Sequence, residues 1–544
     1  MPHSGHAQVT TWVNDQVRDE FERAGHWTDE TWIQVFLADV ERDPKAVSVV
    51  DEERTLTRGE VLSAGRRLAA YLYQRGARRD DVVTLVLPNW WEFVVVHAAI
   101  GLLGCVVNPL LPKVGEREMG HIMRTAKTKF VFAAYDHRGR SPWQAAVAAA
   151  DSLVTAPPVI SVRGGENSLS HILARAWEEE FMPPVAKVSA SSWDTVTFTS
   201  GTESLPKGVV HSHQTTMFGL RAYVGQRLRL TSTDSVYMPS PICHASGIQW
   251  GLRTAIYCGA PLVLQDRWDP VRGLQLIDDN ACTYTLAATP FIVDLVSAKI
   301  EGGEPNAGET LRYLASGGAP IPRRLVQSVR ESFGADLMAV FGSSETYVTT
   351  ATKPGDNDSS LASDGCALDG VEVAIVDEVG RELPAGVQGE IVTRGPQVFL
   401  GYLGDPDLTQ RAFRGEWYRF GDVGCIDELG MLRVTGRIKD IVIRGGENIS
   451  VREVEELLIM HPAVEAAAVV GYPDDRLGER CCAVVVCRPT ADVSLPILNG
   501  FLSEQGLATF KLPERLEIVA SLPMTATGKV RKAELRRQIS ETAP

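Results

Sequence analysis

The chain has 544 residues, which at about 100–200 residues per domain is enough for two to four folding units. Hydrophobic residues at 44% and charged residues at 22% exclude a disordered, collagen-like or disulfide-scaffold protein. With 54 Lys and Arg against 68 Asp and Glu, the net charge of −14 argues against nucleic-acid or anionic-membrane partners, while leaving room for a local basic pocket that takes a small anion.

Short apolar runs rich in β-branched residues alternate with helix-length segments. Val82 to Leu87 reads as a strand, Trp90 to Leu103 as a helix, Cys105 to Val107 as the start of the next strand and Lys129 to Phe132 as another. Such alternation predicts an α/β architecture with buried sheets. From about Gly365 to Val434 the texture changes to short strands between glycine turns, predicting a more antiparallel, barrel-like subdomain. After Gly436-Arg437 a compact α+β unit is expected, with a helix over Val451 to Met460, a strand over Val464 to Val470, a helix over Ile497 to Gln505 and a last strand over Leu516 to Ala520.

Nine cysteines without regular spacing form no disulfide framework, and the adjacent Cys481 and Cys482 read as buried strand residues. His211 and His213 flank Ser212, but no Cys/His cluster shows zinc spacing. The first residues carry neither a basic nor an apolar leader region, and the apolar stretch Phe93 to Leu111 is broken by His97, Gly101, Gly104, Asn108 and Pro109, so a cytoplasmic enzyme without a membrane span is expected.

The chemistry concentrates in five segments. Thr197 to Val209 combines small hydroxyl residues, Gly201, Gly208 and Lys207, the parts of a loop that wraps a polyphosphate with N–H groups, hydroxyls and one cation. It is not the usual P-loop, because Pro206 precedes the lysine and Gly208 follows it where Ser or Thr would meet Mg²⁺. Phe341-Gly342-Ser343-Ser344-Glu345-Thr346 sets one carboxylate among hydroxyls at a strand end. Trp417 to Asp422 offers an aspartate behind an aromatic cluster, and Gly436 to Asp440 leads into Arg444-Gly445-Gly446-Glu447-Asn448. Pro523 to Lys529 puts a lysine on a turn after the last strand. Alone, Glu345 or Asp422 reads more readily as a solvated surface carboxylate, and Lys529 as a surface lysine.

Together these segments resemble, in order and spacing over nearly the whole chain, the adenylate-forming superfamily of acyl-CoA ligases, peptide-synthetase adenylation domains and luciferases. The resemblance implies a large N-terminal ATP- and acid-binding domain over 1–438 and a small rotating C-terminal domain over 439–544, with Lys439 at the hinge. It implies that Thr199, Ser200, Gly201, Thr202 and Lys207 hold the ATP phosphates, and that Glu345, with Thr202 near it, holds Mg²⁺. Gly318, Ala319, Pro320 and Phe341 would sandwich adenine, with Ser344 beside them in the nucleotide site. Asp422 would accept from the ribose hydroxyls, with Arg437 alongside. Lys529 would bridge the carboxylate and the α-phosphate, and in the second step the Gly445-Gly446 loop would replace it so that CoA can enter.

Within the family the chain looks most like cyclohexanecarboxylate- and aryl-acid-CoA ligases, on Phe21 to Trp27, Asn108-Pro109, Leu264 to Pro270 and Ala287 to Phe291. The acid pocket would lie near Pro241 to Gly247 and beside Gly317 and Gly342. There His244 would polarise the substrate, guard the pantetheine tunnel or simply be a buried histidine. Family members that activate 2-hydroxybenzoates tend to carry asparagine after this histidine; here Ala245 stands there. The phosphate loop carries Glu203-Ser204 where the family has Thr-Gly, and a carboxylate there is expected to face away from the triphosphate. Three readings follow: ligation of a carboxylic acid to CoA, loading of a carrier protein, and activation of another oxyanion such as nitrite for diazotisation of an aromatic amine.

Overall fold

The computed structural model describes residues 9–541, apart from 167, 182, 200–204, 303–305, 319–320, 322, 357–359, 361–362, 446, 475, 489–492 and 525–529. By packing, the chain divides into two compact units: one comprises Met1–Glu372 with Arg394–Tyr418, the other Val373–Thr393 with Arg419–Pro544.

The first unit carries two large sheets. Among the described residues one has seven strands, in the order Gly401–Tyr402, Lys207–Ser212, Trp193–Thr199, Val106–Pro109, Val82–Val86, Phe130–Ala134 and Val159–Val162. Its centre is parallel, and every residue of Val82–Val86 and Phe130–Ala134 is buried, as expected of strands covered on both faces. The helix Trp91–Leu103 is buried almost all round and stops at Gly104, whose φ of +65° provides the left-handed C-cap. The helix Arg58–Gln74 is started by a reciprocal capping box between Thr57 and Glu60.

The second sheet has nine strands among the described residues: Cys366–Ala367, Tyr347–Ala351, Asp336–Ser343, Tyr313–Gly317, Tyr284–Leu286, Val236–Met238, Leu262–Leu264, Val47–Val50 and Thr55–Thr57. Tyr237, Ile277, Ile292, Leu295, Leu314 and Val329 anchor the core beneath it. Two helical segments, Leu220–Leu228 and Ile248–Arg253, have the widened π spacing that often accompanies functional sites.

The second unit holds most of the strands Glu372–Val376, Gly389–Arg394, Trp417–Ile426 and Leu432–Arg437 of a sheet with five strands among the described residues, and an α+β body. In that body the strands Val464–Asp474 and Gly478–Cys487 pair as a long hairpin, flanked by Ile441–Arg444 with Glu447–Ser450 and by Arg515–Ile518. The helix Val451–Ile459 begins where expected, capped by Ser450. The strand predicted to stop at Val470 runs on to Asp474, because the facing strand continues to pair with it through Pro473. Cys481 and Cys482 lie buried in this hairpin, and the described cysteines are free thiols. Among the described residues no helix is long and apolar enough to cross a membrane.

Candidate active site

Strand pairing in the first unit assembles the charged centre. Thr199 ends one strand, Lys207 begins the next, and the two are register partners in an antiparallel pair. On the other side of Lys207–Ser212 lies Gly401–Tyr402, with Tyr402 opposite Val209. Lys207 and His211 stand four residues apart on one strand and so share a face. Against that face packs the turn between Asp336–Ser343 and Tyr347–Ala351, which carries Glu345 and comes from the other sheet.

Three side chains close a triangle there. Lys207 Nζ lies 3.0 Å from Glu345 Oε1 and donates to the Tyr402 hydroxyl at 2.8 Å, while that hydroxyl donates to Glu345 Oε1 at 2.9 Å. Glu345 is buried. Burial alone would raise its pKa, but the Lys207 charge and the hydrogen bonds from Lys207, Tyr402 and Ser343 outweigh it and hold the carboxyl below its ordinary value. Burial and the neighbouring carboxylate push the Tyr402 hydroxyl far up, so it stays protonated as a donor. The Thr199 hydroxyl is buried with no hydrogen-bond partner among the described residues, an orphan donor at the end of its strand.

The turn is braced from behind. His211 Nε2 donates to the Ser344 carbonyl at 2.7 Å, and its ring stacks on Tyr347 at 4.0 Å. Burial pushes the His211 pKa down to about 4, so the ring is neutral at pH 7. Phe399 N–H donates to the Glu345 carbonyl at 2.7 Å. Tyr347 has φ +51° and turns the chain sharply; its carbonyl lies where a side chain on Gly342 would have to go, 1.7 Å from that Cβ. Beneath lies a buried polar core in which Asp194 accepts from Arg253 at 2.8 Å, Trp32 at 2.9 Å and Thr216 at 2.7 Å.

The adenine candidates sit on neighbouring strand ends. Gly317 pairs with Val340 in parallel register, which brings Gly318, at φ +79°, and Phe341 to the same edge. The loop that leads to His244 is tied down by buried Asn89, which donates to the Met238 and Ser240 carbonyls and accepts from Ile242 N–H at 2.7 Å. His244 is half-buried and caps a short helical turn, with Nδ1 2.9 Å from Ser246 Oγ. In the second unit Asp422 and Arg437 are register partners, and Arg437 Nε donates to Asp422 at 2.9 Å. Lys439 is exposed in a single 3₁₀ turn, Ile438–Asp440. Ser200, Gly201, Thr202, Glu203, Ala319, Pro320, Gly446 and Lys529 lie outside the described residues.

His211 and His213 do not act as a pair: His211 serves Ser344, whereas His213 lies 3.7 Å from Asp194. Among the described residues no cluster of three His, Cys, Asp or Glu could hold a metal. The ionised carboxylate of Glu345 does suit Mg²⁺, a hard cation that takes oxygen ligands and draws the rest from phosphates and water. Sequence reasoning missed Tyr402, Tyr347, the bracing role of His211 and the Asp194–Arg253 pair. Of these, His211 and Tyr347 lay beside segments that had drawn notice.

This geometry sets a cation and an ionised carboxylate, joined by one tyrosine hydroxyl, beside the end of the strand Trp193–Thr199, an arrangement that suits an anionic ligand together with a bound cation. The sequence pattern of AMP-binding enzymes matches residues 36–403, and that of the AMP-binding enzyme C-terminal domain matches 453–529. The chain therefore belongs to the AMP-binding, adenylate-forming enzymes, and within them to the acid-CoA ligase type. It is 35% identical to the medium-chain fatty-acid–CoA ligase of Escherichia coli K12, over 98% of this chain and 94% of that one. It is 30% identical to a Streptomyces salicylyl-CoA synthase / salicylate adenylyltransferase, over 96% of each. Among solved structures, ATP-bound MatB from Rhodopseudomonas palustris superposes with a TM-score of 0.84 at 27% identity, covering 94% of this chain and 99% of that one. The anthranilate CoA ligase AuaEII, in complex with anthranoyl-AMP, shares the fold with a TM-score of 0.85 at 23% identity, over 94% and 98% of the two chains.

Proposed function

We propose that the chain activates a cyclic, aryl or medium-chain carboxylic acid in the cytoplasm and transfers the acyl group to CoA. In the first step a carboxylate oxygen attacks the α-phosphorus of ATP, the bond to pyrophosphate breaks, and an acyl-adenylate forms. In the second the CoA thiol, losing its proton, attacks the acyl carbon and AMP leaves. Negative charge on the phosphate oxygens has to be stabilised throughout the first step, so fixed cations and donors carry the rate.

The observation that carries this reading is the Lys207–Tyr402–Glu345 triangle beside the orphan Thr199 hydroxyl. Thr199, Ser200, Gly201 and Thr202 would donate to the phosphates, and Lys207, positioned by Tyr402, would supply charge. Glu345 with Thr202 would hold Mg²⁺, which neutralises phosphate charge when bound. Gly318, Ala319, Pro320 and Phe341 would flank adenine, with Ser344 at the same turn, and Asp422 with Arg437 would take the ribose. Lys529 would neutralise the attacking carboxylate and the α-phosphate, and His244 would border the acid. Rotation of 439–544 about Lys439 would exchange Lys529 for the Gly445-Gly446 loop between the two steps. Ala245 after His244 favours acids without a 2-hydroxyl.

The test is pyrophosphate release with ATP and Mg²⁺ across alicyclic, aryl and fatty acids, with and without CoA. Release that needs one carboxylate and rises with CoA supports the ligase. Release from a carboxylate that is indifferent to CoA points to a carrier-protein acceptor. Release that needs nitrite and an aromatic amine, with carboxylates silent, overturns the reading. Lys529→Ala is expected to abolish adenylation while ATP still binds in a calorimeter; full activity in that variant would refute the assigned role.

A further inference from the structure

The 3₁₀ turn Ile438–Asp440 is held from the C-terminal helix Lys532–Glu541. Arg536 Nη2 donates to the Lys439 carbonyl at 2.9 Å and to Asp440 Oδ1 at 2.5 Å. The helix is a firm base for this arm, because Leu535 and Ile539 are buried against Ala468, Val470, Cys482 and Val484 of the central hairpin. Lys532, one turn earlier, pairs with half-buried Glu455 at 2.7 Å.

Between the two acceptors lie the N–Cα bond of Asp440 and the two torsions of its side chain. The Lys439 carbonyl is upstream of the N–Cα bond of Asp440, and the Asp440 carboxylate hangs downstream of it. One guanidinium nitrogen that holds both closes a small hydrogen-bonded ring across φ of Asp440 and restrains it, since a turn about that bond has to be matched by the Asp440 side-chain torsions or break one of the two hydrogen bonds. The peptide joining Lys439 to Asp440 is planar and stiff, so it becomes part of the body that carries Arg536. Beyond Asp440 the chain enters the hydrogen-bonded strand Ile441–Arg444. The larger freedom at this turn is then φ and ψ of Lys439 and whatever lies before it.

We propose that Arg536 is a positioning residue for the change between half-reactions: it confines the rotation of the small domain to Lys439. This rests on the two-step, rotating reading given above. Without the guanidinium, rotation spreads over Lys439 and Asp440, the domain samples many directions, and the arrangement needed for thioester formation is found less often. Arg suits the task better than Lys, because its planar fork loses less freedom per bond formed.

The test uses the full chain and the acid identified in the pyrophosphate assay. Acyl-adenylate formation is timed in a single turnover without CoA, and thioester formation is timed after CoA is mixed with the loaded enzyme. Arg536→Ala is expected to leave the first rate within about twofold and slow the second about tenfold or more. Arg536→Lys, which holds one acceptor at a time and leaves φ of Asp440 freer, should recover the second rate only in part, staying about threefold or more below wild type. An equal fall in both half-reactions, or no fall in either, overturns the proposal.

A second measurement needs no substrate. Trypsin cleavage after exposed Lys439 should be about fivefold faster in Arg536→Ala, with other sites unchanged, because the scissile carbonyl is no longer held. Uniform acceleration at all sites means a merely structural role, and no acceleration means the grip is idle; either result overturns the proposal. If no acid or oxyanion supports adenylation by the wild-type chain, the functional reading falls and the trypsin comparison alone decides the role of Arg536. If Arg536→Ala fails to fold, Arg536→Lys carries both measurements: a thioester rate and a Lys439 cleavage rate both equal to wild type would then overturn the proposal.

Discussion

Tyr402 joins the cation and the carboxylate of the site through one oxygen. Tyr402→Phe removes a hydrogen bond to each charged partner and leaves the direct contact between Lys207 and Glu345 at 3.0 Å. Hydrogen bonds to charged groups contribute about 1.5–3 kcal/mol, so the lower end corresponds to about tenfold in rate. We expect adenylation kcat to fall by about that factor with the melting temperature nearly unchanged; an unchanged kcat would mean that Lys207 needs no orientation by the phenol. Asp194 makes the opposite kind of contribution, to stability rather than rate. Burial would raise its pKa, but Arg253, His213, Thr216 and Trp32 bring it down to about 2, from an ordinary 3.8. A carboxyl whose pKa falls on folding stabilises the protein fully above its ordinary value, and that contribution disappears as pH drops from there through about 2. Asp194→Asn leaves the fully buried Arg253 charge without its partner and should cost about 3–5 kcal/mol in urea unfolding at pH 7. The variant should also lose less of its remaining stability than wild type between about pH 4 and pH 2.5. Parallel losses in the two proteins would show that other carboxylates set the acid sensitivity.

At the scale of elements, the edge that carries Gly318 and Phe341, the proposed adenine site, depends on how closely two strands approach. A Cβ on Gly317 would stand 2.4 Å from the Val340 carbonyl oxygen, so Gly317→Ala has to push Tyr313–Gly317 away from Asp336–Ser343, the strands that present Gly318 and Phe341. ATP affinity by calorimetry should weaken about tenfold, in line with a misplacement of about 1 Å; an unchanged affinity would mean that the strand ends part without moving the site. The same scale explains what could be read in advance. Val82–Val86 and Phe130–Ala134 were legible because fully buried strands are written as continuous apolar runs. Lys207 and Glu345 were legible because each sits in a compact run of loop-forming residues. Tyr402 was not, since it reaches Lys207 across 195 residues through a two-residue strand with no periodicity of its own. His211 was noticed for its neighbour His213, but its partner is a backbone carbonyl 133 residues away, which spacing cannot announce. The π segments Leu220–Leu228 and Ile248–Arg253 were equally hidden, because a widened turn changes the hydrogen-bond partner and not the residue types.

At the scale of the whole molecule, the chemistry and the packing draw the boundary in different places. The motif order suggests a cut at 438/439, whereas packing groups Val373–Thr393 and Arg419–Pro544 as one unit. The two views make different demands on the fragment 439–544. Its core is self-contained: Val442, Ile449, Val454, Leu458, Val469, Val485, Leu498 and Leu502 form one cluster, and Ala468, Val470, Val484, Leu535 and Ile539 another, all within those limits. The hydrogen bond from Ser450 to the Thr435 carbonyl crosses the cut and would be lost, at a cost of about 1 kcal/mol. Against a stability of about 5–15 kcal/mol for a domain, that loss is tolerable. We therefore expect 439–544, expressed alone, to melt cooperatively by circular dichroism and to leave 1–438 unable to adenylate for want of Lys529. A fragment that stays unfolded while 373–544 folds would show that the antiparallel sheet before Lys439 is part of the same cooperative unit. Rotation about Lys439 would then have to break a folding core instead of turning one body on another, and the two-step reading would need its pivot elsewhere.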